Sequence, residues 1–401
     1  MQNLPTEILI ILFCSVIVVS YLFSILSRYI KIPSVLLLLV AGITLRYFAT
    51  RNSWQIFFPE NLTEFLGVTG LVMIVLEAGL DLKLSRGKLR LIRNSFFAAL
   101  FIFLLSLAGI TAGLYYWLHE GLVKCIVYAI PLSIMSSSIV IPSLHHLSAA
   151  KKEFLVYEAS FSDIFGILAF NYFTAKNTFT VASLGKFGLG IITAIVLSVL
   201  FSVLLFALLT RSRMNIKFFL VFALLIILYE GGKMFALPSL LIILVFGLMV
   251  NNWNAIKLPR VQHLFPEENV QETIKLLHSI TAETAFLIRT FFFILFGFSI
   301  DLKVIGVTEV IVAGSTIVAI LLLTRFLYLK FFLRENVYPE TLFIPRGLIT
   351  ILLFYKIPAA LHLASFNDSI LFFVIIITSF IMMLGVIFYR KQSTELQRDD
   401  F

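Results

Sequence analysis

Apolar residues run along this chain in long stretches joined by short polar segments, a pattern with neither the strict alternation of a half-buried strand nor the narrow stripe of a surface helix. Measured against the roughly 20 residues a helix needs to cross hydrocarbon, these runs predict helices over 6–27, 32–49, 62–82, 94–118, 121–146, 152–173, 184–210, 215–231, 235–250, 280–300, 304–331, 341–361 and 367–389, about 13 transmembrane spans. The longest polar segments, Asn251 to Thr273 and the tail after Tyr389, are too short to bury a core of their own. No soluble domain, and no fused nucleotide-binding domain, is expected.

Composition agrees with the pattern. The chain of 401 residues is 60% hydrophobic and 13% charged, with a mean hydropathy of +1.03, which excludes a water-soluble globular domain and makes a lipid bilayer its solvent. Its runs are too long for barrel strands, so the fold class is an all-α integral membrane protein. The first run, Ile8 to Leu26, lacks a basic flank and a cleavage site and is expected to remain as the first span. Cys14 and Cys125 have no redox or metal spacing and read as small hydrophobes.

A net charge of +9 would suggest nucleic acid in a soluble protein, but here the basic residues report topology. Of 31 Lys and Arg, twenty fall in odd-numbered joints and the C-terminal tail and seven in even-numbered joints. The positive-inside rule therefore puts the N-terminus outside and the C-terminus in the cytoplasm. A bacterial inner or plasma membrane is the expected location, and no nucleic-acid partner is expected. Arg289, Arg325, Arg346 and Lys356 remain within spans.

The chain also repeats itself. The second span reads IPSVLLLLVAGI at 32–43 and the ninth reads LPSLLIILVFGL at 237–248. The third ends Gly79-Leu80-Asp81-Leu82-Lys83, and the tenth ends Ser299-Ile300-Asp301-Leu302-Lys303. Two consecutive helices thus recur in order, seven spans apart; because seven is odd, the copies cross the bilayer in opposite directions. Inverted repeats belong to alternating-access transporters, which build their sites on interrupted helices. The fifth and twelfth spans, repeat mates, carry the interruptions: Pro131, Ser136-Ser137-Ser138 and Pro142 in one, Pro345, Gly347 and Pro358 in the other.

Charges inside hydrocarbon cost on the order of 2.5–3.5 kcal/mol each even on lenient scales, so each needs a reason. At 1.5 Å per residue, Glu158, Arg325, Arg346 and Glu77 lie roughly 6–10 Å deep, and Asp163 and Ser137 roughly 15 Å deep. Glu158 and Arg325 thus form a candidate ion pair, either a lock between two helices or part of a site. Asp163 has no cation at its own depth. A carboxylate so placed must keep its proton or hold a metal cation, which is an exchange mechanism; the alternative is a hydrogen bond to the freed backbone of span five and no cargo. Arg346 either snorkels or caps freed carbonyls, and Glu77 either snorkels or pairs with Arg289. His145 and His146 stand in a joint beside Lys151 and Lys152 as pH-sensitive candidates or plain solvated residues.

These residues resemble a known group. EASFSD, Glu158 to Asp163, is similar to the E-S-S-F-N-D signature of electroneutral sodium/proton antiporters in the monovalent cation/proton antiporter superfamily. The stretches at 32–43, LEAGLDLKL at 76–84, FFFILFGFSIDL at 291–302, TRFLYLK at 324–330 and PRGLITILL at 345–353 agree in order and spacing. The resemblance implies the sodium/proton antiporter fold, with two inverted repeats and discontinuous crossing helices. It makes Asp163 the carboxylate shared by cation and proton, with Ser137, Ser138, Ser160, Ser162 and Glu77 in the binding set. Glu158 and Arg325 become a structural ion pair, with Arg346 in support. It also implies a homodimer in which a core of 94–173 and 304–389 slides against a scaffold of 1–93 and 211–300, with 184–210 as linking helix and 390–401 as a cytoplasmic tail.

Ala159 and Ser162 replace the signature's Ser and Asn, and Ser137-Ser138 replaces the usual Thr-Asp of the broken helix. Fewer carbonyl and carboxylate oxygens leave the choice among Na⁺, Li⁺ and K⁺ open. One carboxylate handles one charge, so one-for-one, electroneutral exchange with H⁺ is expected, with no cofactor. A sodium-coupled solute symporter and a potassium efflux transporter are the alternatives. An intramembrane enzyme is disfavoured, since no HExxH, GxSxG or paired catalytic-aspartate motif appears.

Overall fold

A computed structural model describes residues 6–30, 32–52, 60–84, 86–144, 147–175, 181–211, 218–235, 237–253, 267–299, 307–333 and 338–399. His145, His146, Asp301 and Lys303 lie outside them. The described residues are helical, with no strand among them. In chain order they form α1 (Thr6–Ile30), α2 (Ser34–Arg51), α3 (Glu60–Asp81), α4 (Leu89–Leu118), α5 (Leu122–Ser133), α6 (Ser137–Ser143) and α7 (Ala149–Phe173). There follow α8 (Val181–Arg211), α9 (Phe218–Met234), α10 (Ser239–Asn251), α11 (Glu267–Ser299), α12 (Thr308–Tyr328), α13 (Leu348–Tyr355) and α14 (Ser369–Asp399).

Most helices coincide with the apolar runs. The fifth run is divided into α5 and α6. α11 begins thirteen residues before its apolar run, because 267–279 includes Glu, Gln, Lys and Leu, good helix formers, in a stretch too polar to read as a span. Seven spans among the described residues are long and apolar enough to cross a bilayer, with α5 and α6 counted together. Their burial separates two kinds: 83% of the α5–α6 window is enclosed, against 17% of Gly185–Leu204 on α8. Leu189, Ile192 and Leu200 stand exposed on α8, a surface that lipid and not water would cover.

Contacts divide the chain into two compact units: residues 1–60, 94–166 and 289–401, and residues 61–93 and 167–288. In the first, α2 crosses the C-terminal part of α11 with backbones in near contact. A Cβ on Gly42 would lie 2.9 Å from Gly297 Cα, and one on Gly297 3.1 Å from Leu39 Cα. One turn beyond the crossing, Arg46 donates to the Phe298 and Ser299 carbonyls at 3.3 and 2.7 Å, capping the end of α11. In the second unit, α10 crosses α3 in the same manner. A Cβ on Gly79 would lie 3.1 Å from Gly247 Cα, and Asn252 Nδ2 donates to the Leu82 carbonyl at 2.7 Å, just past α3. Gly42 and Gly247 occupy the same position of the sequence repeat. Both halves of the chain therefore use one solution: a glycine that admits a neighbouring backbone, followed by a polar side chain that satisfies that neighbour's terminal carbonyls.

Gly42→Ala or Gly247→Ala is expected to cost about 1–3 kcal/mol through overpacking against backbone that cannot retreat. Gly188→Ala on α8, where a Cβ meets nothing within 4 Å, serves as the control and should be neutral or stabilising. Melting temperatures of the detergent-solubilised variants would separate the two classes.

Candidate functional site

The site forms in the first unit, where two interrupted spans cross. Pro131 and the Ser136–Ser138 hydroxyls weaken span five, and the backbone runs extended through Ile134 (φ −76°, ψ 127°) to Ser136 (φ −75°, ψ 110°) before α6 begins. In span twelve, Pro345 precedes Gly347, and α13 starts only at Leu348. The two extended segments touch: the Ser136 N–H donates to the Pro345 carbonyl at 2.9 Å. A Cβ on Gly347 would come within 2.8 Å of Ser136 Cβ, so this crossing requires glycine for its closeness.

Freed carbonyls are the cost of such a crossing, and arginines answer it. Arg346 is buried; its Nε donates to Leu132 O at 2.7 Å and its Nη2 to Ser133 O at 3.4 Å, the last carbonyls of α5, while Nη1 reaches Ile344 O at 2.7 Å. Of the two sequence-based readings of Arg346, snorkelling and capping, the geometry is that of a cap. Pro142 has no N–H for the carbonyl four residues earlier, that of Ser138, and Arg289 Nη1 donates to it at 3.3 Å. Depth alone did not suggest this contact, but the Pro142-to-Ser138 spacing is a signal that leads to it.

α7 places the acidic groups. Glu158 and Ser162 are four residues apart and share one face, whereas Asp163 is one residue on and about 100° round the helix. Glu158 meets Arg325 in a two-pronged ion pair, Nη1–Oε1 at 2.6 Å and Nη2–Oε2 at 2.8 Å, both side chains buried. Arg325 Nε donates to Glu340 O at 2.6 Å. A cavity of about 10 Å³, room for about one water, is lined by Glu158, Arg325, Arg346, Ser133 and Ser162. On the other face, Asp163 is 1% exposed, and its Oδ2 accepts a 2.5 Å hydrogen bond from Ser137 Oγ. Its Oδ1, equally buried, has no hydrogen-bond partner among the described residues.

The remaining candidates are distributed. Ser162 Oγ accepts from the Met135 N–H at 2.9 Å, fixing the break to α7. Ser138 Oγ lies 2.9 Å from Ser136 Oγ, and Ser160 Oγ donates back to Val156 O at 2.9 Å. Glu77 is on α3, partly buried, in the second unit.

A buried carboxylate held against a break in one span, with a matching break from the other half of the chain crossing beside it, defines a secondary transporter with inverted repeats. The sequence specifies which. Residues 15–389 match the family described as sodium/hydrogen exchanger, transmembrane, and the chain belongs to that family. It is a transporter, not an enzyme, and crosses the membrane many times. Its fold is similar to that of the sodium proton antiporter MjNhaP1 from Methanocaldococcus jannaschii at pH 8, with a TM-score of 0.70 and 18% identity over 97% of this chain and 100% of that one. An electron-microscopy map of the same antiporter gives a TM-score of 0.66 and 18% identity over 98% and 97%. At that identity the likeness concerns the fold. No curated protein sequence matches the chain.

Breaking a buried ion pair by removing one partner costs about 3–5 kcal/mol. Glu158→Arg and Arg325→Glu should each destabilise the protein, and the charge-reversed double variant should recover part of the loss. A double-mutant cycle on thermal stability measures this, and zero coupling energy would remove the pair's role.

Proposed function

We propose that this protein exchanges H⁺ for a monovalent cation by alternating access, with Asp163 as the carboxylate that each occupies in turn. The observation that carries this reading is the buried, unpartnered Oδ1 of Asp163 beside the break of span five. An ionised carboxylate cannot rest there uncompensated, so it binds a proton or a metal cation, and one displaces the other. Ser137 and Ser138 at the break supply oxygens to the cation, with Ser160 and Ser162 on α7 contributing to the set. Na⁺ is the favoured cargo, with Li⁺ and K⁺ as competitors.

Charge conservation supports one-for-one, electroneutral exchange. Arg325 is committed to Glu158, and Arg346 to the α5 carbonyls, so neither is available to trade places with the cargo on Asp163. A single monovalent cation or a single proton therefore leaves the site with the same charge. Residues 94–173 and 304–389 act as the moving core, and 1–93 and 211–300 as the fixed scaffold of a homodimer. Residues 184–210 link them, with the N-terminus outside and the C-terminal tail in the cytoplasm.

In proteoliposomes carrying a lumenal pH dye, adding Na⁺, Li⁺ or K⁺ without any organic solute should move protons, with rates insensitive to an imposed potential. Asp163→Asn should abolish the response while the protein stays folded. Exchange retained in that variant would refute the assignment, and a requirement for an organic solute would favour the symporter.

A further inference from the structure

Lys151, in the first turn of α7, joins three parts of the first unit. Its Nζ lies 2.8 Å from Glu340 Oε1 and 2.9 Å from Oε2. It also donates to Tyr338 O at 2.9 Å and sits 5.3 Å from the centre of the Tyr389 ring on α14. Glu340 is buried, and its own carbonyl accepts the 2.6 Å bond from Arg325 Nε. Glu340 thus links a partly exposed lysine to the fully enclosed pair: its carboxylate holds Lys151 and its backbone carbonyl holds Arg325, which in turn meets Glu158.

We infer that Lys151 is a positioning residue for exchange: by holding the Glu340 carboxylate it fixes the Glu340 carbonyl on Arg325 Nε and so keeps Arg325 turned toward Glu158. This rests on the exchange reading above. Without the ammonium, the Glu340 carboxylate is buried and without its cation, and a residue that moves to relieve it takes along the carbonyl that holds Arg325. Arg325 is then drawn away from Glu158, and a loose carboxylate appears five residues from Asp163 on the same helix. Repeat symmetry supplies a comparison. At the start of span five Glu120 plays the matching part, accepting from the Ser365 N–H at 3.2 Å just ahead of α14 and from Lys124 at 3.3 Å. That tie likewise fastens one repeat to the other, but among the described residues no ion pair continues from it into the core.

The test is cation-driven exchange in proteoliposomes, with apparent KM and maximal rate determined separately and melting temperature measured on the same preparations. Lys151→Met is expected to raise the apparent KM for the cation about tenfold. Lys151→Arg should stay within about threefold of the parent, and Lys151→Met combined with Glu340→Gln should recover most of the loss, because the anion needing compensation is gone. Glu120→Gln should lower the melting temperature without moving KM. If Lys151→Met merely lowers stability, or if removing the Glu340 charge rescues nothing, the positioning role is wrong. Absence of exchange in the parent protein would instead overturn the exchange reading itself, so the two failures are distinguishable.

Discussion

A carboxylate withdrawn from water is stable only if its charge is met, and in Asp163 that requirement is met halfway. Ser137 satisfies one oxygen, and the other, equally buried, has no hydrogen-bond partner among the described residues. An unsatisfied buried polar atom costs about 1–3 kcal/mol, and more when charged. In the exchange proposed above, a proton and a cation make good that deficit in turn. The surrounding architecture can be understood as what makes the deficit tolerable and local. Other strong charges in the crossing are committed elsewhere, and freed backbone carbonyls are answered by arginines and not by the carboxylate.

The repeat does more than duplicate a sequence. α2 on α11 and α10 on α3 use the same glycine-mediated approach and the same polar cap on a neighbour's final carbonyls, although the caps are an arginine in one copy and an asparagine in the other. Interrupted spans follow the same economy. Span five keeps two helical pieces, and span twelve keeps one long enough to hold its register, but both pass through extended backbone where they meet. Conserving the contact while varying the residue is what a duplicated unit can do once each copy packs against different neighbours.

Much of this was legible in the residues. Apolar run length located the spans, and the Ile-Pro-Ser and Leu-Pro-Ser starts exposed the repeat. Counting 1.5 Å per residue put Glu158 level with Arg325 and Asp163 level with Ser137, the pairs that meet at 2.6 and 2.5 Å. What stayed hidden depends on direction as well as depth. Ser160 and Ser162 looked alike on paper, yet one turns back to its own helix and the other holds the Met135 amide. Lys151 stood among the joint charges, and nothing in a linear pattern reveals that it meets Glu340, 189 residues away. Arg289 meets the Ser138 carbonyl that the proline at 142 leaves without its amide, a contact that no count of depth brings out.

The central claim is competition for one carboxylate, and proton release on cation binding tests it most directly. Titrating weakly buffered, detergent-solubilised protein with Na⁺ near the midpoint of its pH response, while following pH and heat together, should show up to one proton freed per cation bound, and neither signal in Asp163→Asn. Cation binding at unchanged affinity with no proton release across the pH range would contradict the account.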